Sequence, residues 1–226
     1  MNSLICPEIF HGDVKGFFTH KSFGADIGKI SSVMSISKEA IYLPVQKHTD
    51  TVCILDSGTD PVIADAVVTV KRGILIGVQV ADCVPILLCD RRKMVIAAVH
   101  AGWRGTAARI IRKTIRAMAE HFGSISGDIV MACGPSIRGC CYQVGNEVID
   151  AVCSATGQGD YHAHNDAGFF IDLSIANRYQ AISAGVPAEN IWIADDCTFC
   201  NPRKYHSFRY HKNHAGRQAG FIGIFQ

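Results

Sequence analysis

Val95-Ile-Ala-Ala-Val-His-Ala-Gly-Trp-Arg-Gly-Thr106 is an apolar run that ends in a histidine and passes through a glycine-bracketed Trp-Arg pair into a helical pattern. Val95 to Val99 is short, continuously apolar and β-branched at both ends, which predicts a buried strand, and Gly102 and Gly105 mark a turn. From Thr106 the period changes. Ile111, Ile115, Met118 and Phe122 recur at four, three and four residues, the spacing of one helix face, while Arg109, Arg112, Lys113 and Arg116 lie mostly elsewhere on the wheel. Strand, tight turn and helix place His100 at the carboxyl end of a buried strand, beside the first free N–H groups of a helix. A histidine and an anion site are then neighbours.

The surrounding chain predicts α/β architecture in one domain, residues 1–226, without linker or internal repeat. A hydrophobic fraction of 48% supplies a sizeable core, and 22 basic against 20 acidic side chains leave +2, too balanced for a nucleic-acid or polybasic membrane surface. The N-terminus lacks a basic start and a long apolar region, and Gln79, Asp82 and Asp90-Arg-Arg92 interrupt the most hydrophobic stretch. A cytoplasmic protein acting on small ligands is expected, its ten cysteines thiols rather than disulfides.

In chain order, residues 1–30 suggest an opening strand or hairpin, and Ser37 to Ile41 a short helix. Tyr42 to His48 reads as extended, with Thr51–Leu55, Asp65–Val70, Gly73–Val80 and Val84–Leu88 as strands. These form a meander leading through Asp90-Arg-Arg-Lys93 into the Val95 strand. Ile129–Cys133, Ile191–Ala194 and Gly220–Phe225 are further strands. Val144–Val152 and Asp172–Gly185 read as helices, and residues 154–168 as a loop-like rim.

Three candidate metal ligands, His48, Cys83 and His100, each follow or interrupt an apolar segment. Imidazole and thiolate suit zinc or copper, and three protein ligands with one open position define a catalytic zinc site. The same residues also read as two incidental histidines and a buried cysteine, and spacing does not choose, because no compact motif links them.

Resemblance chooses. Gln46-Lys-His48, Ala81-Asp-Cys-Val-Pro85, His100-Ala-Gly-Trp-Arg-Gly105, Gly134-Pro-Ser-Ile-Arg-Gly-Cys-Cys-Tyr-Gln-Val144, Cys197-Thr198 and Gly216-Arg-Gln218 run in the order of one family's signatures. The chain resembles the laccase-domain or "polyphenol oxidase" family, also called a purine nucleoside phosphorylase family and similar to peptidoglycan editing factors. The resemblance implies a layered α/β/β/α fold with mixed sheets, related to cysteine hydrolases. It implies a zinc site, with copper also described, on His48, Cys83 and His100. It further implies phosphorolysis of adenosine, inosine and methylthioadenosine to base and ribose 1-phosphate, with deamination of adenosine.

A three-ligand zinc brings the pKa of water to about 7 or polarises a bound oxygen, while phosphorolysis needs phosphate held beside C1′. Arg104 in the Gly102–Thr106 turn either binds that phosphate or packs beneath the turn. Thr19-His-Lys-Ser-Phe-Gly24 departs from the family's arginine-bearing N-terminal stretch, and Ser207-Phe-Arg-Tyr210 keeps only Arg209 of a common pair. Arg209 and Arg217 either meet phosphate or brace the C-terminal strand. Asp82 is the nearest carboxylate by sequence and reads as support for Cys83. Cys197-Thr-Phe-Cys200 lacks a partner pair unless Cys140 and Cys141 supply one, and Cys141 alternatively approaches the main site. His162-Ala-His164 is a single His-x-His, too few for a multicopper cluster, and His206, His211 and His214 read as solvated. Two other functions stay open: a hydrolase with Cys83 as nucleophile and His100 as its base, and a non-catalytic metal-binding module.

Overall fold

The structure, a computed structural model, describes residues 4–56, 58 and 60–225. In chain order its strands are β1 (Leu4–Ile5), β2 (Val14–Thr19), β3 (Ile41–Tyr42), β4 (Val52–Ile54), β5 (Ala66–Thr69), β6 (Leu75–Val80) and β7 (Val84–Asp90). They continue as β8 (Val95–Ala101), β9 (Ile129–Cys133), β10 (Gln143–Val144), β11 (His162–Asn165), β12 (Gly168–Ile171), β13 (Ile191–Ile193) and β14 (Gln218–Ile224). The helices are α1 (Ile27–Met34), α2 (Trp103–Ala107), α3 (Ile110–Phe122), α4 (Asn146–Thr156), α5 (Leu173–Ser183) and α6 (Phe208–His211).

The opening stretch is the centre of the largest sheet. Every residue of β7 and β8 is buried because both faces of these strands are covered, which is why they read as unbroken apolar runs. Their side chains alternate between two cores. Ile86, Leu88, Ala97 and Val99 face α3, α4 and α5, while Leu87, Ile96 and Ala98 face a second sheet through Val14, Phe18, Ile76, Val78 and Ile222. On the far face of that second sheet Phe17, Leu75 and Phe221 pack with Ile30 of α1. The layers are therefore α/β/β/α in a single α/β domain. The six-stranded sheet has the order β13-β9-β7-β8-β5-β4, the five-stranded sheet β1-β2-β14-β6-β3, and a small sheet β10-β12-β11 stands apart. Parallel pairs β3–β6, β4–β5 and β9–β13 sit among antiparallel ones, so both large sheets are mixed.

The structure changes several expectations. Only the hairpin β7–β8 survives from the expected meander, because β4 and β5 pair in parallel and the chain leaves for the other large sheet at β6 and returns at β7. That hairpin turns on Asp90, whose side chain accepts from the N–H groups of Arg92 and Lys93 at 2.8 and 2.9 Å. The helix expected from Thr106 is two: α2 stops at Ala107, Arg109 takes a left-handed φ of 61°, and α3 then runs to a left-handed Gly123 cap. Arg109 spends its guanidinium on the carbonyls of Ser154 and Ala155 at the end of α4, an interaction that holds the break. The short helix expected at Ser37–Ile41 is a single 3-10 turn, Lys38–Ala40, followed by β3, and α1 was not expected at all. Residues 154–168 are not a loop-like rim but the end of α4 and the hairpin β11–β12. Among the described residues no helix is long and apolar enough to cross a membrane.

Candidate metal centre and its cavity

The site gathers where the chain passes from one large sheet to the other. His48 lies on the crossing from β3 to β4, Cys83 on the crossing from β6 to β7, and His100 near the end of β8. Their donor atoms all fall within 4.8 Å of one another. Cys83 Sγ stands 4.0 Å from His48 Nε2, and the two imidazoles meet edge to face at 4.8 Å between centroids. Ligands of one zinc ion, at about 2.0–2.3 Å from it, lie roughly 3.5 Å apart, so the set fits a transition metal with little movement.

Asp65 organises this set. It is fully buried at the head of β5, and it accepts from the N–H groups of Lys47, His48 and Thr49, from the Thr49 hydroxyl and from His100 Nδ1 at 2.7 Å. Burial opposes its charge, but these donors outweigh it and hold the carboxyl well below its ordinary range. With Nδ1 donating, His100 directs the Nε2 lone pair toward the cluster, the carboxylate–histidine arrangement that orients metal ligands. His48 takes a left-handed φ of 59° while its N–H is drawn to Asp65, and Asp82, beside Cys83, takes 85°, so two of the strained backbone positions lie at this cluster. Sequence reasoning passed over Asp65 as the polar start of a strand; its one signal was a carboxylate heading a run too apolar to leave it in water.

Burial disfavours a thiolate at Cys83, yet the neighbouring His100 charge and the hydrogen bonds of both histidines bring the thiol down to about 6. Burial likewise opposes a charged His100, and the Cys83 sulfur with Asp65 lifts it to about 9. In the absence of a metal these shifts favour thiolate and imidazolium between pH values of about 6 and about 9.

These donors open into a cavity of about 610 Å³, of small-molecule size. Trp103, Tyr142 and Phe208 give it aromatic walls, and Arg104, Arg209 and Arg217 all line it. The Arg104 guanidinium stacks on Trp103 at 4.3 Å and makes no hydrogen bond or ion pair to a described residue. Arg209 lies 5.2 Å over Tyr142 and donates to the Gln143 carbonyl, and Arg217 donates to the carbonyls of Ala215 and Gly216. Asp82 is engaged on both oxygens, by the Thr198 hydroxyl and the Arg209 N–H, each at 2.6 Å. These bonds from the segment ahead of β14 fix the carboxylate next to Cys83, the supporting position the sequence suggested.

The remaining motifs resolve differently. Cys141 does not approach this centre; with Cys140, Cys197 and Cys200 it forms a second cluster whose sulfurs lie within 4.8 Å of one another. His162 and His164 are exposed on β11, and among the described residues the two clusters contain no His-x-His pair. His214 is solvated as expected, but His206 and His211 are half-buried, His211 facing Lys21 Nζ at 3.0 Å.

Residues 23–225 match the family described as multi-copper polyphenol oxidoreductase laccase, and the chain belongs to that family. A purine nucleoside phosphorylase of Clostridium acetobutylicum is 36% identical over 82% of this chain and 77% of its own. A protein called adenosine deaminase RL5, from an unknown prokaryotic organism, is 36% identical over 85% and 78%. The solved structure of YfiH from Bacillus licheniformis matches at a TM-score of 0.92 and 24% identity over 99% of this chain and 97% of that one, and YlmD from Geobacillus stearothermophilus at 0.88 and 25% over 97% and 94%. The fold expected from the resemblance is therefore the fold observed. Both clusters could hold a metal.

Proposed function

We propose that this protein is a metal-dependent purine nucleoside enzyme that cleaves adenosine, inosine or methylthioadenosine with phosphate to free base and ribose 1-phosphate, and that also deaminates adenosine. The observation carrying this reading is the convergence of two imidazoles and a thiol on a cavity that has aromatic walls and an arginine without a hydrogen-bonding partner. Relatives named purine nucleoside phosphorylase and adenosine deaminase support the substrate class.

His48, Cys83 and His100 hold the metal, zinc or copper, and Asp65 fixes the His100 tautomer. A divalent ion bound there supplies a Lewis acid able to acidify water or polarise a ligand oxygen. Trp103, Tyr142 and Phe208 offer faces on which a purine stacks and exclude water from it. Arg104 receives phosphate, whose oxygen attacks C1′ as the bond from C1′ to the base breaks and the base departs with the electron pair. Arg209 and Arg217, partly spent on backbone carbonyls, fix the rim and add positive potential.

Metal-loaded protein given adenosine is expected to yield adenine and ribose 1-phosphate only with phosphate present, and inosine with or without it, as read by chromatography. Cys83→Ala loses both activities. Arg104→Ala raises KM for phosphate roughly 10- to 100-fold, the worth of charge-assisted hydrogen bonds, and spares deamination. Absence of phosphate-dependent products from the metal-loaded protein overturns the phosphorylase. A second reading rests on the thiolate–imidazolium pair: a cysteine hydrolase with Cys83 as nucleophile. Turnover that persists in chelator and stops on alkylation of Cys83 selects it instead.

A further inference from the structure

We propose that Cys140, Cys141, Cys197 and Cys200 form a second metal centre, a structural zinc site of four thiolates that ties the loop carrying Tyr142 to the segment leading into α6, where Arg209 lies. Its four sulfurs lie within 4.8 Å of one another, Cys141 and Cys200 at 3.2 Å and Cys140 and Cys200 at 3.8 Å. Sulfurs around one tetrahedral zinc, each about 2.3 Å from it, are about 3.8 Å apart. The spacing matches a single ion and is too tight to enclose a cluster of several irons. It is also too long for a disulfide, whose sulfurs are about 2.05 Å apart. Four soft sulfur donors with no imidazole or carboxylate among them select zinc over the harder divalent ions.

The loops are arranged for the ion before it arrives. Cys197 and Cys200 have the Cys-x-x-Cys spacing of a zinc knuckle, and the Cys197 sulfur accepts the backbone N–H of Cys200 and, at 3.4 Å, that of Arg138. A parallel bridge between Ser136 and Cys197, with the Thr198 N–H donating to the Ser136 carbonyl at 3.0 Å, sets the two loops in register. The Arg138 side chain pairs with Asp172 at the start of α5 and reaches the Ala194 carbonyl, which anchors the first loop on the layer beneath. Both loops adjoin the cavity: Tyr142 follows Cys141, Thr198 holds Asp82 beside Cys83, and the second loop leads on to α6, whose Arg209 lines the cavity. These segments are irregular and join distant parts of the sequence, where a metal clip contributes most against loop entropy. The inference stands independently of the proposed reaction.

The test counts metal. In protein produced with zinc, a His48→Ala/Cys83→Ala parent is expected to retain one zinc per chain, and adding Cys140→Ser/Cys200→Ser is expected to remove it and lower the melting temperature. Cobalt substituted into the parent, with all four cysteines intact, is expected to show the thiolate-to-cobalt charge-transfer bands of a tetrathiolate site, so the result does not depend on the serine variant folding. An unchanged zinc content after the serine substitutions, absence of those bands from the folded parent, or a disulfide among the four in protein purified under reducing conditions overturns the proposal.

Discussion

Asp65 is buried and ionised at once, and the protonation of the neighbouring ligands turns on it. The metal-free pair keeps one proton, on His100, between about 6, where the Cys83 thiol ionises, and about 9, where the imidazole does. Cys83, lowered on folding, adds stability that is lost as pH falls through 6; His100, raised on folding, adds stability that is full below about 6.5 and lost as pH rises through 9. The two trends oppose, so this pair leaves metal-free stability nearly level across that window. Metal binding responds differently, because the ion requires thiolate and neutral imidazole and so displaces the His100 proton. Apparent affinity is expected to rise roughly tenfold per pH unit between about 6 and about 9, more steeply below 6 where the Cys83 proton is displaced too, and then to level off. Asp65→Asn removes one of the two charges that raise His100, the Cys83 sulfur being the other, so levelling begins at lower pH while affinity at the plateau drops about 10- to 100-fold. Metal titrations across pH measure both; a folded Asp65→Asn protein with the parent's plateau and profile contradicts the role.

The turn between β8 and α2 meets the ligands through Gly102. Its φ of −76° is ordinary for any residue, so alanine adds no backbone strain there. What it adds is a methyl group 3.0 Å from Cys83 Sγ and 3.4 Å from His48 Cδ2. Gly102→Ala is therefore expected to move the stability by no more than about 1 kcal/mol while displacing the thiol and weakening metal binding roughly tenfold or more; calorimetry and metal titration separate the two effects, and an unaltered affinity counts against the geometry. The glycine was visible in the sequence as turn punctuation, and so were β7, β8, α3 and α5, whose side chains repeat at clear periods. Other elements were hidden for physical reasons. A strand buried on both faces carries no mark of which sheet it joins, so β5 and β6 read as neighbours although they lie in different layers. β11 is exposed throughout and shows no apolar alternation, so its hairpin read as loop. His48, Cys83 and His100 were reached through resemblance, since their spacing follows sheet crossings rather than any local period, and the four-thiol cluster depends on a bridge between Ser136 and Cys197 that no local pattern announces.

Because two of the three proposed ligands, His48 and Cys83, sit on crossings between layers, the proposed site exists only while the two large sheets are docked. Phe18 is at the centre of that docking. It is 1% exposed, stacks on Trp192 at 6.2 Å, and fills the space beside Gly134 and Gly220, where a Cβ would come within 2.3 and 2.9 Å of its ring. Phe18→Ala leaves a cavity between the sheets and is expected to cost about 3–5 kcal/mol. The chain has two tryptophans, and they divide the molecule usefully: Trp192 packs in the layer between the sheets, whereas Trp103 lines the metal cavity on the helical side. If the layers fold as one cooperative unit, then within each of the Trp103→Phe and Trp192→Phe backgrounds the remaining tryptophan and the far-ultraviolet circular dichroism share one denaturation midpoint, and Phe18→Ala lowers that midpoint in both. A midpoint from Trp103 that stays in place while that from Trp192 falls shows instead that the α3–α5 layer and its sheet keep the cavity wall without the second sheet. His48 and Cys83 would then lose their anchorage before the core around β7 and β8 does, and metal affinity would fail at a lower denaturant concentration than the Trp103 signal.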